Sequence, residues 1–198
     1  MTQALQKSEL RQRFRAARLA LSADAVESRS AQIAELFWAY IFRPEHRYIH
    51  SFLSIASNHE PNTWPIIEQL WQEHPQVRVV APRVHRPTKT LQHLLIEPDT
   101  VLHTGGMSIP EPPNDALPIA IALLDVILVP LYCFDERGYR VGYGGGYYDK
   151  FLAQCAPKTL KVGISLLPPV AVIEGIAPYD IPLDYCLTPD KVWRFAQL

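Results

Sequence analysis

With 198 residues, 48% hydrophobic and 20% charged, the chain is long enough for one α/β domain that buries roughly 70% of its extended-chain surface. Its 19 basic and 20 acidic residues leave a formal net charge of -1, so there is no electrostatic footprint for nucleic acid or a membrane surface and neither is expected as a partner. Three widely spaced cysteines, Cys133, Cys155 and Cys186, form neither a disulfide framework nor a zinc pattern, and no stretch reaches the ~18 apolar residues of a membrane span. A cytoplasmic monomer is expected.

Leu10, Phe14, Ala17 and Leu21 recur at helical spacing and predict a first helix over 4–21 with one apolar stripe. Lys7, Arg11, Arg15 and Arg18 form a second stripe about 80° round the same helix; Arg15 and Arg18 read as a solvated face. Ser22 is the expected N-cap of a second helix reaching about Tyr40, buried through Val26, Ile33, Leu36 and Phe37. Residues 47–55 read as a strand that delivers the polar loop 56–62, with its Glu60, and Thr63-Trp64-Pro65 opens a third helix to about His74.

Short strands are predicted over 77–81 and 91–96, separated by a polar excursion over 82–89 and followed by a loop over 100–113. The apolar run Val126-Ile127-Leu128-Val129 predicts a strand buried on both sides. Beyond the glycines that follow come a helix over 149–155, a strand over 160–165 and a last strand near 185–187. Strands alternating with helices indicate βαβ units. The fold class is therefore α/β: one three-layer domain over 1–198, with a mostly parallel central sheet and helices on both faces.

The densest chemistry lies just after the central strand. Gly142, Gly144, Gly145 and Gly146 occupy four of five positions, and glycine lets a backbone take positive φ and leaves its N–H groups open to a ligand, as an anion nest requires. The spacing is neither the Walker loop nor the dinucleotide fingerprint. Arg140 precedes the glycines as a fork for phosphate. Asp149 follows them as a carboxylate for a divalent cation, and Tyr143, Tyr147 and Tyr148 supply rings and hydroxyls. The loop containing Glu60 and the loop over 131–146 both leave carboxyl ends of predicted strands, where an open α/β sheet places its ligand crevice.

The segment from Pro130 to Asp135 with Gly138 to Asp149 resembles the signature of the 5-formyltetrahydrofolate cyclo-ligase family, also called methenyltetrahydrofolate synthetases. Lys7-Ser8-Glu9-Leu10-Arg11, Ser51 to Ser54 with Glu60 to Thr63, Pro110-Glu111-Pro112 and Pro182-Leu183-Asp184 extend the likeness in order along nearly the whole chain. The resemblance implies an ATP site of Lys7, Arg11, Arg140, Gly142, Tyr143, Gly144, Gly145, Gly146, Tyr147 and Tyr148. It implies a folate site of Leu53 and Glu60 with Tyr143 to Tyr147, and magnesium held by Asp149 and Asp184. The loop departs from the pattern: Tyr143 and Gly145 occupy its variable positions, where a basic residue is common.

The implied reaction is ATP-dependent closure of 5-formyltetrahydrofolate to 5,10-methenyltetrahydrofolate. Phosphoryl transfer to the formyl oxygen needs positioning and charge neutralisation more than a protein nucleophile, so no covalent or acid/base residue is assigned. A non-catalytic nucleotide- or folate-binding module is the alternative, and a sugar-phosphate isomerase a third, since fold alone decides no function. The separation of Lys7 and Arg11 from Arg140 further suggests that the N-terminal helix is a clamp closed by the triphosphate.

Overall fold

The computed structural model describes residues 5–105 and 109–195. Strand β1 (Leu5–Gln6) leads into helices α1 (Lys7–Leu19) and α2 (Ala23–Leu36), the latter continued by a π turn over Phe37–Ile41. Then come β2 (Tyr48–His50), α3 (Trp64–Glu73), the hairpin β3 (Arg78–His85) and β4 (Thr90–Ile96), and the small pair β5 (His103–Thr104) and β6 (Pro110–Glu111). The central strand β7 (Val126–Pro130) precedes β8 (Cys133–Phe134), β9 (Arg140–Val141) and α4 (Tyr147–Leu152). The chain continues through β10 (Leu160–Ile164), β11 (Ile173–Glu174), β12 (Tyr185–Thr188) and β13 (Lys191–Arg194).

Seven strands form one sheet in the order β13-β12-β10-β7-β2-β3-β4. The run from β12 to β3 is parallel, and β13 and β4 close the two edges antiparallel. Along β7 the side chains alternate between faces. Val126 and Leu128 join the core made by Val26, Ile33, Ile66 and Ile67 of α2 and α3, whereas Ile127 and Val129 join Phe151 and Leu152 of α4. That double covering is why the strand reads as an unbroken apolar run, and it gives the expected three layers. From β7 the sheet grows one way through β2 and the other through β10, so its switch point lies between β2 and β7. Crevices for ligands open beyond the carboxyl ends of strands at such a point.

The expected helix over 4–21 is shortened to Lys7–Leu19, because Leu5 and Gln6 pair in parallel with Ile173 and Glu174. The helix is also rolled. Its buried residues are Leu10, Phe14 and Arg18, and Ala17 is exposed. Leu10 and Phe14 pack on Tyr132, Cys133, Val141 and Ile173, an apolar contact that needs no anion, so the expected clamp is docked by its own core. Ser22 caps α2 as expected, its hydroxyl accepting from Ala25 N at 3.2 Å.

The expected strand over 47–55 ends at His50, after which Ser51 to Ile55 turn away with Phe52 and Leu53 buried. The first half of the polar excursion over 82–89 is strand, since Pro82 to His85 pair with Thr90 to His93. Polarity misleads there because this end of β3 extends past β2, which pairs only with Arg78 to Val80. Pro82 is tolerated for the same reason: it faces no ladder partner on that side. No described helix is long and apolar enough to cross a membrane.

Candidate active site

The glycine loop hangs from a small hairpin, β8–β9, which Asp135 fastens from inside. This fully buried carboxylate accepts from the N–H groups of Arg137 and Tyr139, both at 3.0 Å, from Ile173 N at 3.1 Å and from the Arg137 guanidinium at 2.7 Å. Such a side chain folding its own backbone into a turn is what Asp does best. The hairpin is thereby set, and Arg140 at its end is aimed inward. Its guanidinium donates to Ile181 O and, at 2.7 Å, to Asp149 Oδ1, tying the loop to α4 and to the segment before β12. Burial pushes its pKa down, opposed first by Asp149 and also by Asp180; a guanidinium nevertheless stays cationic at any physiological pH.

Gly144 (φ +93°) and Gly146 (φ +69°) take left-handed backbone that a side chain would strain. A Cβ on Gly144 would also come within 3.5 Å of the Arg11 guanidinium carbon. Arg11 Nε donates to Gly142 O at 2.8 Å, and Lys7 Nζ pairs with Asp180. Of the predicted phosphate ligands, Arg11 thus touches the loop itself, Arg140 stands two residues before it, and Lys7 is held by Asp180, whose charge also acts on Arg140. Because α4 has six residues, its dipole is a small contribution beside these cations.

Glu60 is brought to the same loop from across the switch point. Ser54 and Thr63 hydroxyls brace its turn, with Ser54 Oγ donating to Pro61 O at 2.6 Å and accepting from Thr63 N at 3.0 Å. Glu60 is 4% exposed; one carboxylate oxygen accepts from Ile55 N at 2.8 Å and the other from the Tyr143 hydroxyl. Burial raises its pKa, and the bonds from Tyr143 and Ile55 and the charge of Arg18 pull it back. The Tyr143 pKa is raised in turn, first by burial and then by the Glu60 charge.

Other predicted residues fall elsewhere. The Leu53 side chain is in the core with α2 and α3, so only its backbone remains for a ligand. Tyr148 turns inward, its ring centroid 6.0 Å from Phe151 and 6.4 Å from His50, and burial raises its pKa. Tyr147 lines a depression of about 210 Å³ beside α4 with His93, Lys150 and Phe151, to one side of the nest. Asp184 is turned to β10, where its Oδ2 accepts from Lys161 N at 2.8 Å and Lys161 Nζ at 3.0 Å. Asp180 is the late carboxylate that pairs with Lys7, accepts from Ala177 N at 2.6 Å and acts through its charge on Arg140. It stands four residues ahead of Asp184, and only the course of the chain before β12 distinguishes the two. Arg18 corrects the expectation of a solvated face: it is 3% exposed.

A profile of the 5-formyltetrahydrofolate cyclo-ligase family matches residues 3–189. The chain belongs to this family. Among cyclo-ligase relatives, the 5-formyltetrahydrofolate cyclo-ligase of Escherichia coli K12 is 37% identical over 141 residues, 69% of this chain and 75% of that protein. The Saccharomyces cerevisiae enzyme is 26% identical over 93% of this chain and 95% of its own. The solution structure of Aquifex aeolicus 5,10-methenyltetrahydrofolate synthetase superposes with a TM-score of 0.80 at 25% identity, covering 97% of this chain and 94% of that one. The Mycoplasma pneumoniae synthetase shares the cyclo-ligase fold at a TM-score of 0.74 and 22% identity, over 93% and 99% of the two chains.

Proposed function

We propose that the chain closes 5-formyltetrahydrofolate to 5,10-methenyltetrahydrofolate at the expense of ATP, and that the phosphates lie in the glycine loop. The observation that carries this reading is the Arg11 contact to the glycine loop at Gly142 O, beside Arg140 and the Lys7–Asp180 pair, with Glu60 reaching the same loop from beyond the neighbouring strand. One side suits a polyanion and the other a ligand that donates hydrogen bonds to a carboxylate, as a reduced pterin does.

The formyl group on N5 is an amide, so its oxygen leaves only if converted to a better leaving group. Attack of that oxygen on the γ-phosphorus breaks the bond to the β-phosphate oxygen and releases ADP. N10 then adds to the activated carbon, its proton passes to solvent, and departure of phosphate leaves the conjugated methenyl cation. The chain's part is to hold the two substrates in line and neutralise charge on the transferring group. Lys7 and Arg11 act from α1 and Arg140 from the hairpin, while the loop N–H groups cradle the phosphate oxygens.

Magnesium fits this donor set, because it takes one or two carboxylates along with waters and phosphate oxygens. Asp149 offers a part-exposed carboxylate with one oxygen on Arg140. The Asp180 charge also acts on that guanidinium, its Oδ2 accepting from Lys7 Nζ and Ala177 N, while Asp184, the residue suggested by the sequence, faces Lys161 on β10. We infer that Asp149 and Asp180 would hold the metal, which would supply charge neutralisation for the triphosphate. Incubation of pure protein with 5-formyltetrahydrofolate, ATP and magnesium should produce the absorbance of the methenyl product. A folded sample that binds both ligands and gives no such signal would be a non-catalytic binder instead.

A further inference from the structure

Arg18 lies on the predicted water-facing stripe of α1, yet it is among the most buried charged residues of the protein. Its guanidinium carbon sits 4.6 Å from the centroid of the Tyr132 ring, a cation–π contact that returns part of the lost hydration. Nη2 donates to the Tyr143 hydroxyl at 3.3 Å, whereas Nε and Nη1 find no acceptor among the described residues. A methionine would fill the same space without burying a cation whose donors are left unsatisfied, which is costly. Packing alone does not account for it.

The hydrogen bonds have one consistent direction. Tyr143 donates its only proton to Glu60 and accepts from Arg18 with a lone pair, so guanidinium, phenol and carboxylate form a chain polarised toward the carboxylate. Tyr132 is the platform for both members above it, its ring 4.7 Å from that of Tyr143. Helix α1 therefore touches the glycine loop twice on one side, through Arg11 at Gly142 and through Arg18 at Tyr143.

We propose that Arg18 is a positioning residue of the cyclo-ligase reaction: through the Tyr143 hydroxyl it fixes the Glu60 carboxylate in orientation and keeps it ionised for the reduced folate. This rests on the cyclo-ligase reading and on Glu60 as the folate carboxylate. The groups that face Glu60 are Tyr143 of the glycine loop, Arg18 of α1, Tyr148 of α4 and the Ile55 N–H, with His59 its neighbour on the same loop. Arg18 is the cation among them.

The test is the titration of the Glu60 side-chain carboxyl by carbon-13 NMR in the whole chain, assigned with Glu60→Gln and run alongside steady-state kinetics. Arg18→Met should raise the Glu60 pKa by about one unit. It should raise KM for the folate severalfold at mildly acidic pH with KM for ATP unmoved, and Arg18→Lys should recover part of both. Tyr143→Phe should shift the same titration, and the double variant should shift it by less than the sum, as members of one chain do. A Glu60 titration in Arg18→Met equal to that of the unsubstituted protein, equal rises in both KM values, or additive shifts would overturn the proposal. Should Arg18→Met not fold, Tyr143→Phe decides alone, an unmoved Glu60 titration counting against the chain. The titration needs no turnover, so an unsubstituted protein that forms no methenyl product would remove the cyclo-ligase reading and leave the carboxyl result standing.

Discussion

The two flanks of the glycine loop are built from different materials. On the α1 side, Lys7 meets Asp180, Arg11 meets Gly142 O, and Arg18 reaches Glu60 through Tyr143. On the α4 side the loop passes into a dry cluster in which the Phe151 ring lies 4.0 Å from His93 and 4.9 Å from His50. Ionic contacts of the first kind can be exchanged for contacts to an incoming anion at little net cost, since charge is traded for charge. Close-packed rings cannot be exchanged in that way without opening a void. A response to ligand is therefore expected in the polar side chains of the α1 flank, with the helix itself held by its apolar seat, and not in the α4 flank.

Gly144→Val breaks this division most severely. A β-branched side chain at φ +93° is strained, and its methyls would meet Arg11, so ATP affinity should fall by about 30-fold. Folate affinity should fall much less; equal losses in calorimetry would indicate a loop that has simply misfolded. Next come the carboxylates. Asp149→Asn and Asp180→Asn should each lower turnover by about tenfold and raise the magnesium concentration needed for half-maximal rate. Asp184→Asn should instead cost about 1 kcal/mol in urea denaturation, through its pairing with Lys161, and leave the magnesium dependence unchanged. A magnesium response in Asp184→Asn but not Asp180→Asn would return the metal site to the sequence assignment.

A last test addresses the α4 flank. Burial holds the His93 pKa at about 4 and that of His50 well below its ordinary value. In both cases the unfolded chain binds protons more readily than the folded one. Their contribution to stability is thus complete above the unfolded pKa near 6.5 and is lost as pH falls toward the folded values. From pH 7 to pH 5 each histidine should cost at most about 2 kcal/mol of unfolding free energy. His93→Leu should flatten that slope while sparing ATP affinity at pH 7; an unchanged slope would mean the cluster is open to water.

The sequence made the central strand and the glycine loop readable because their chemistry is local: four apolar residues with both faces covered, then glycines flanked by Arg140 and Asp149. Glu60 was legible through its resemblance to the family pattern, and the structure adds the Tyr143 contact that joins its loop to the glycines. The residues that escaped are those whose role depends on which way an element rolls or a chain bends. Arg18 reads as solvent-facing on a helical wheel because the wheel cannot show that Tyr132 and Tyr143 cover that face. Asp180 and Asp184 are both acids near a proline, and the sequence does not show that Lys161, on a strand some twenty residues earlier, pairs with Asp184 while Lys7 pairs with Asp180. The β3–β4 hairpin was underestimated because a strand that outruns its neighbour needs no apolar alternation on the overhang.

The pairing of Leu5 and Gln6 with Ile173 and Glu174, together with the Lys7 contact to Asp180 173 positions away, has a consequence for how the molecule is made. The ribosome delivers α1 before its seat, which is assembled from Tyr132, Cys133, Val141 and Ile173 and emerges much later. Contacts of such long sequence separation form late and slow the final step. Helix α1 is then placed after elements made long after it, and the nascent chain carries an unpartnered basic amphipathic helix until residues 132–173 have left the exit tunnel.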